Sequence, residues 1–125
     1  MKYREKTIRK YLKNLERGDY EEMMKLFSKN AIIHSPLYGK IRAERFYKGL
    51  FKDTSKSKIT LLNTFKSENK SVAAGHFRYD WTLKNNAKTS FECVDVFQFD
   101  KKGKIMKLTI IYDTSRIRRS FERLS

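Results

Sequence analysis

FECVDVFQFD, residues 91–100, alternates with a period of two and is rich in aromatic and β-branched residues, which is the pattern of a strand. Successive side chains of a strand project to opposite faces. Phe91, Cys93, Asp95, Phe97 and Phe99 therefore share one face, and Glu92, Val94, Val96 and Gln98 the other. The first face is apolar except for Asp95. An acid placed among rings either finds a Lys or Arg partner or sits where desolvation disfavours the carboxylate and raises its pKa.

The same period runs through the neighbouring sequence. Candidate strands 58–66, 71–83, 88–99 and 104–113 are joined by SENK, KNNAK and DKKG, turns short enough to make antiparallel neighbours. In 71–83 the odd positions Phe77, Tyr79, Trp81 and Leu83 are expected inside, with His76, Arg78, Asp80 and Thr82 outside. In 104–113 the even positions Met106, Leu108, Ile110 and Tyr112 are expected inside, opposite Lys107, Thr109 and Asp113. Together with the face of Asp95 these rows describe a large concave apolar surface.

Upstream the rhythm is helical. Ile8, Tyr11, Leu12 and Leu15 form one stripe that Gly18 ends. Asp19, with Glu22 three residues on, caps a second short helix whose apolar face is Tyr20, Met23, Met24 and Phe27. AIIHSP reads as a short strand ending at Pro36, PLYGK as a turn, and Ala43 to Phe51 as a third helix carrying Phe46, Tyr47, Leu50 and Phe51 at helical spacing. The tail TSRIRRSFERLS is expected to close as a short amphipathic helix. Helices first and a strand meander afterwards is an α+β order in which helices cover one face of a curved sheet.

The chain has 125 residues, enough for one domain with a modest core. Its net charge of +15 favours nucleic acid, an acidic membrane surface or an anionic ligand. Basic residues are nevertheless interspersed with acids, except at Arg116, Arg118 and Arg119, at Lys101, Lys102 and Lys104, and between Lys52 and Lys58. The single cysteine, Cys93, forms no internal disulfide and reads as a small buried hydrophobe. With no signal-like N-terminus and no apolar run near the ~20 residues that span a bilayer, a cytoplasmic protein without membrane insertion is expected. Two histidines and one cysteine, widely spaced, offer no metal site, and no Gly-rich phosphate loop is present. Neither a metal nor a cofactor is expected.

The order of elements, with the strings YLKNLERGDYEEMMKLFSKNAIIHSPLYG and CVDVFQFDKKGKIMKLTIIY, resembles the nuclear transport factor 2-like superfamily, in its SnoaL-like and ketosteroid isomerase-like branch. The resemblance covers nearly the whole chain. It implies one SnoaL-like domain over residues 1–125, a cone in which a curved antiparallel sheet of cystatin-like form wraps around N-terminal helices, a deep pocket, and a homodimer formed through the outer sheet face. It also implies that Asp95 occupies the position of a protonated acid that donates to a substrate carbonyl, and Tyr11 that of the tyrosine donating the second hydrogen bond. In that isomerase an apolar site keeps the acid protonated at neutral pH. There the residue before the proline is an aspartate base, whereas here it is Ser35. His34 is the nearest replacement, with an ordinary pKa of roughly 6.5. Alternation with Ser35 points it away from the pocket unless a turn or bulge rotates it.

Three function classes follow. The first is an enzyme moving a proton next to the carbonyl of a small apolar molecule, with Tyr11, Asp95 and His34 catalytic and Ser35, Phe77, Tyr79, Trp81, Phe97, Leu108 and Tyr112 lining the pocket. The second is a ligand-binding module with the same pocket and no turnover. The third is a basic surface for nucleic acid, disfavoured because the aromatic residues turn inward instead of standing out to stack on bases.

Overall fold

The structure is a computed structural model that describes residues 2–124, with Lys2 by its backbone alone. Met1 and Ser125, the last residue of the expected C-terminal helix, lie outside the described residues. Helix α1, Lys2–Arg17, forms where the stripe of Ile8, Tyr11, Leu12 and Leu15 can be buried, and all four are. It stops at Gly18, whose φ of +64° is a conformation that glycine adopts without a Cβ clash. Asp19 then caps α2, Tyr20–Met24, by accepting from the Glu22 N–H at 3.1 Å.

The remaining elements are β1 Phe27–Ser35, β2 Gly39–Arg42, α3 Ala43–Asp53, β3 Thr54–Lys66, β4 Val72–Leu83, β5 Lys88–Phe99, β6 Ile105–Ile111 and α4 Arg118–Glu122. The six strands form one sheet in the order β2-β1-β6-β5-β4-β3. The arrangement is the expected α+β one, with N-terminal helices against a curved sheet. Neighbours are antiparallel except β1 and β6, which run parallel. That pair is joined by a long crossover through α3 and the meander, the kind of connection a parallel pair needs.

Several local expectations are corrected. Phe27 is not on the face of α2 but opens β1, where it pairs with Ile105, because α2 ends at Met24 after little more than one turn. Gly39 and Lys40, read as the end of a turn, open the short strand β2, which pairs back on β1 as a hairpin. Strand β3 begins at Thr54, so the polar stretch before residue 58 belongs to the sheet. Met106 is 42% exposed while Ile105 is buried. The register of β5 against β6 slips between Gln98 and Phe99, which pair with Lys107 and Ile105. The extra residue of this bulge turns Met106 and Lys107 outward together and restores the inward phase at Leu108.

One glycine lets the helix layer come close to the acid. Gly75 pairs with Asp95 across β4 and β5, and a Cβ there would stand 3.0 Å from Ile8 Cγ2 of α1. The buried Arg4 ties the start of α1 to the β3–β4 turn by donating to the carbonyls of Asn69 and Val72.

Candidate functional site

Alternation in β5 brings Cys93 and Asp95 to the inner face, as expected, and Asp95 is 1% exposed. Helix α1 crosses this face and presents Tyr11. Strand β4 contributes Phe77, Tyr79 and Trp81, and α3 covers the far side with Phe46 and Leu50. Ser35 and Tyr38, from the end of β1 and the following turn, complete the wall with Ile110, Tyr112 and Leu15. These side chains line a hollow with about 390 Å³ of space between atoms, open solvent at its mouth included, of which about 30 Å³ is open to the centre of a water molecule. The second number describes the room available without movement: it admits a water or two. A larger guest has to displace a ring at the mouth.

The polar centre is a short chain of donors. Tyr47 of α3 donates to the Tyr11 hydroxyl at 2.7 Å, and Tyr11 in turn is hydrogen-bonded to Asp95. The Cys93 thiol donates to Asp95 Oδ1 at 3.1 Å. Among the described residues no Lys, Arg or His stands within ion-pair distance of Asp95. Burial pushes its pKa up from 3.8 to about 7, against the opposing pull of the Cys93 and Tyr11 hydrogen bonds, which favour the carboxylate. Burial also raises Tyr11, helped by the nearby Tyr47 and Asp95, and raises Cys93, helped by Asp95. Asp95 is thus the group in the hollow that gains and loses a proton near neutrality.

Other polar ends are tied to the wall. Trp81 Nε1 donates to Thr54 Oγ1 at 2.8 Å, the Tyr79 hydroxyl meets Ser57 Oγ at 2.9 Å, and Tyr38 donates to Asp53 at 2.7 Å. Ser35 Oγ accepts from the backbone N–H groups of Leu37 at 3.3 Å and Tyr38 at 3.1 Å. Its lone pairs are engaged, so it has a proton to give and little capacity to accept one.

The structure thus gathers Tyr11, Asp95, Ser35, Phe77, Tyr79, Trp81 and Tyr112 around one hollow. It does not bring His34, Phe97 or Leu108 there. His34 pairs with Lys40 of β2 and Thr109 of β6 and alternates to the other side of the sheet from Ser35, with no bulge between them to turn it. Phe97 and Leu108 are fully buried and serve as core packing, Phe97 with its ring edge-to-face on Tyr11 at 5.1 Å. The sequence reading missed Tyr38, which the turn PLYGK concealed, and did not assign Phe46, Leu50 and Tyr47 to the site. Their helical spacing announced a buried face but not what that face touches. No group of three His, Cys, Asp or Glu side chains among the described residues is placed to hold a metal.

Residues 8–108 match the family model of the SnoaL-like domain. No curated protein matches the chain in sequence. Among solved structures, a nuclear transport factor 2-like protein of unknown function from Burkholderia pseudomallei superposes with a TM-score of 0.81 at 15% identity, covering 95% of this chain and 97% of the other. The epoxide hydrolase/cyclase-like enzyme SalBIII of pyran ring formation in the polyether salinomycin gives 0.76 at 18% identity, covering 90% and 92%. A putative SnoaL-like polyketide cyclase from Shewanella denitrificans gives 0.77 at 11% identity, covering 96% and 97%. At such identities the likeness shows the fold alone.

Proposed function

The chain belongs to the SnoaL-like domain family, and on that footing we propose that it binds a small, largely apolar molecule carrying a carbonyl and moves a proton next to that carbonyl, as ketosteroid isomerase-like enzymes do. The observation that carries this reading is Asp95, buried without a cationic partner among the described residues, with a pKa near 7 and a tyrosine pair beside it. With Ser35 engaged by backbone donors and His34 turned away, Asp95 itself takes the proton. Its ionised form accepts the proton from the carbon next to the carbonyl, and the C–H electron pair moves into the enolate. As Asp95 takes the proton it no longer needs the Tyr11 donor, and the Tyr11 hydroxyl, which accepts from Tyr47, turns its own proton from Asp95 to the enolate oxygen. The protonated Asp95 then returns the proton to carbon. Preorganised donors of this kind contribute roughly 3 kcal/mol each to such a step.

A second reading, binding without turnover, is favoured by Asp95 being the one carboxylate among the described residues that line the hollow. The two are separated with butyrophenone in deuterated buffer, binding being followed by the fluorescence of Trp81, the only tryptophan, and exchange by proton NMR. Exchange that drops about a hundredfold or more in Asp95→Asn, with binding retained, supports the enzyme. Binding without exchange in either protein supports the module, and no binding removes both. The same footing carries a homodimer through the outer sheet face, where Phe65 and Ile111 are 52% and 54% exposed. Sedimentation at increasing concentration tests it, and a monomer throughout refutes it.

A further inference from the structure

The lining residues that remain half-buried are Ser35, Tyr38, Ile110 and Tyr112, so they mark the mouth of the hollow. Helix α4 is held against that mouth. The Phe121 ring packs edge-to-face on Tyr38 at 4.9 Å. Arg118 donates from Nη2 to the Pro36 carbonyl at 2.9 Å and from Nε to Thr114 Oγ1 at 3.2 Å. Its charge is felt at the Tyr112 hydroxyl, where it opposes the effect of burial. Asn85 donates to the Ser120 carbonyl at 3.0 Å, which ties the β4–β5 turn to α4.

The two ends of the hollow therefore differ in charge. At depth, Asp95 and the surrounding rings disfavour any anion by desolvation and by the repulsion of an ionised carboxyl. At the mouth, Arg118 forms no ion pair among the described residues. The acids close by do not neutralise it: Asp53 accepts the Tyr38 hydroxyl and Asp113 the Ser115 N–H, neither within ion-pair distance of Arg118, and Glu122 has its own partner. A guanidinium fixed through two of its nitrogens beside an apolar opening is suited to a carboxylate.

We propose that the guest of this hollow is a small organic anion, an apolar body with a neutral acceptor oxygen at one end and a carboxylate at the other, and that Arg118 holds the carboxylate at the mouth. This rests on the pocket reading above and adds the charge and the orientation of the ligand. It also gives part of the +15 charge a use, since a cationic rim raises the local concentration of an anionic ligand.

The test uses two probes of equal size, 5-oxo-5-phenylpentanoate and its primary amide, titrated against Trp81 fluorescence at low salt. The carboxylate is expected to bind about fivefold more tightly than the amide, and the preference to vanish near ~1 M salt, where charges are screened within ~3 Å. Arg118→Gln is expected to abolish the preference while leaving the amide's affinity unchanged, and Arg118→Lys to restore part of it. Equal affinities for the two probes would overturn the inference and leave the pocket reading standing. A preference that survives in Arg118→Gln, or an equal loss for both probes in that variant, would show that Arg118 does not hold the anion. Binding of neither probe would remove the pocket reading and this inference together.

Discussion

Replacing Asp95 by asparagine should change how stability depends on pH, in a direction set by the buried carboxyl. In the unfolded chain the group titrates near its ordinary 3.8, and in the folded protein near 7. Between those values the folded protein keeps a proton that the unfolded chain has released, so stability falls as pH rises. It is greatest below the unfolded pKa and levels off above the folded one. The separation is about three pH units at about 1.4 kcal/mol each, or about 4 kcal/mol in all. That is a large fraction of the ~5–15 kcal/mol that holds a domain folded. Asparagine does not ionise and keeps the shape. Urea unfolding followed by Trp81 fluorescence across this range, with the variant's stability subtracted from that of the native protein, isolates the carboxyl from every other titrating group. The difference should fall by about 4 kcal/mol between pH ~4 and pH ~7 and stay constant above. A flat difference would mean that Asp95 meets water in the folded state, and one that rises with pH would mean that a cation stabilises its carboxylate; either refutes the reasoning.

The neighbours of Asp95 tune that curve. Cys93→Ala removes a donor to the carboxylate at 3.1 Å, so the midpoint of the difference curve should move to higher pH, and a shift downward would contradict the hydrogen bond. Tyr47→Phe keeps a ring packed on Phe46 at 4.7 Å but leaves Tyr11 without its donor; urea titration should show a loss of about 1 kcal/mol, with no loss if the hydroxyl pair is idle. Gly75→Ala places a Cβ 3.0 Å from Ile8 Cγ2 and should destabilise by about 1–3 kcal/mol, and an unchanged melting temperature would mean that α1 gives way freely.

Much of the molecule is legible in local pattern. The alternation in FECVDVFQFD places Cys93 and Asp95 inside, and the odd phase of β4 places Phe77, Tyr79 and Trp81 beside them. Periodicity carries this far because the side to which a residue points is a property of the adjacent backbone. It failed at Met106, where a bulge set by the pairing of β6 with β5 reversed the phase, and at Phe27, where a strand partner claimed a residue that suited a helix.

By itself, then, the sequence determined which faces are apolar and that an acid lies on one of them. The tertiary structure alone decided that, among the described residues, the acid has no cation beside it and that Tyr47 reaches Tyr11 from 36 positions away. It alone decided that Ser35, and not His34, faces the hollow, and that Arg118 reaches Pro36 across 82 positions to stand at its mouth. The physical reason is one of range: hydrophobic phase is encoded in neighbouring residues, whereas partners, desolvation and the shape of a cavity depend on register between strands and on helices crossing them.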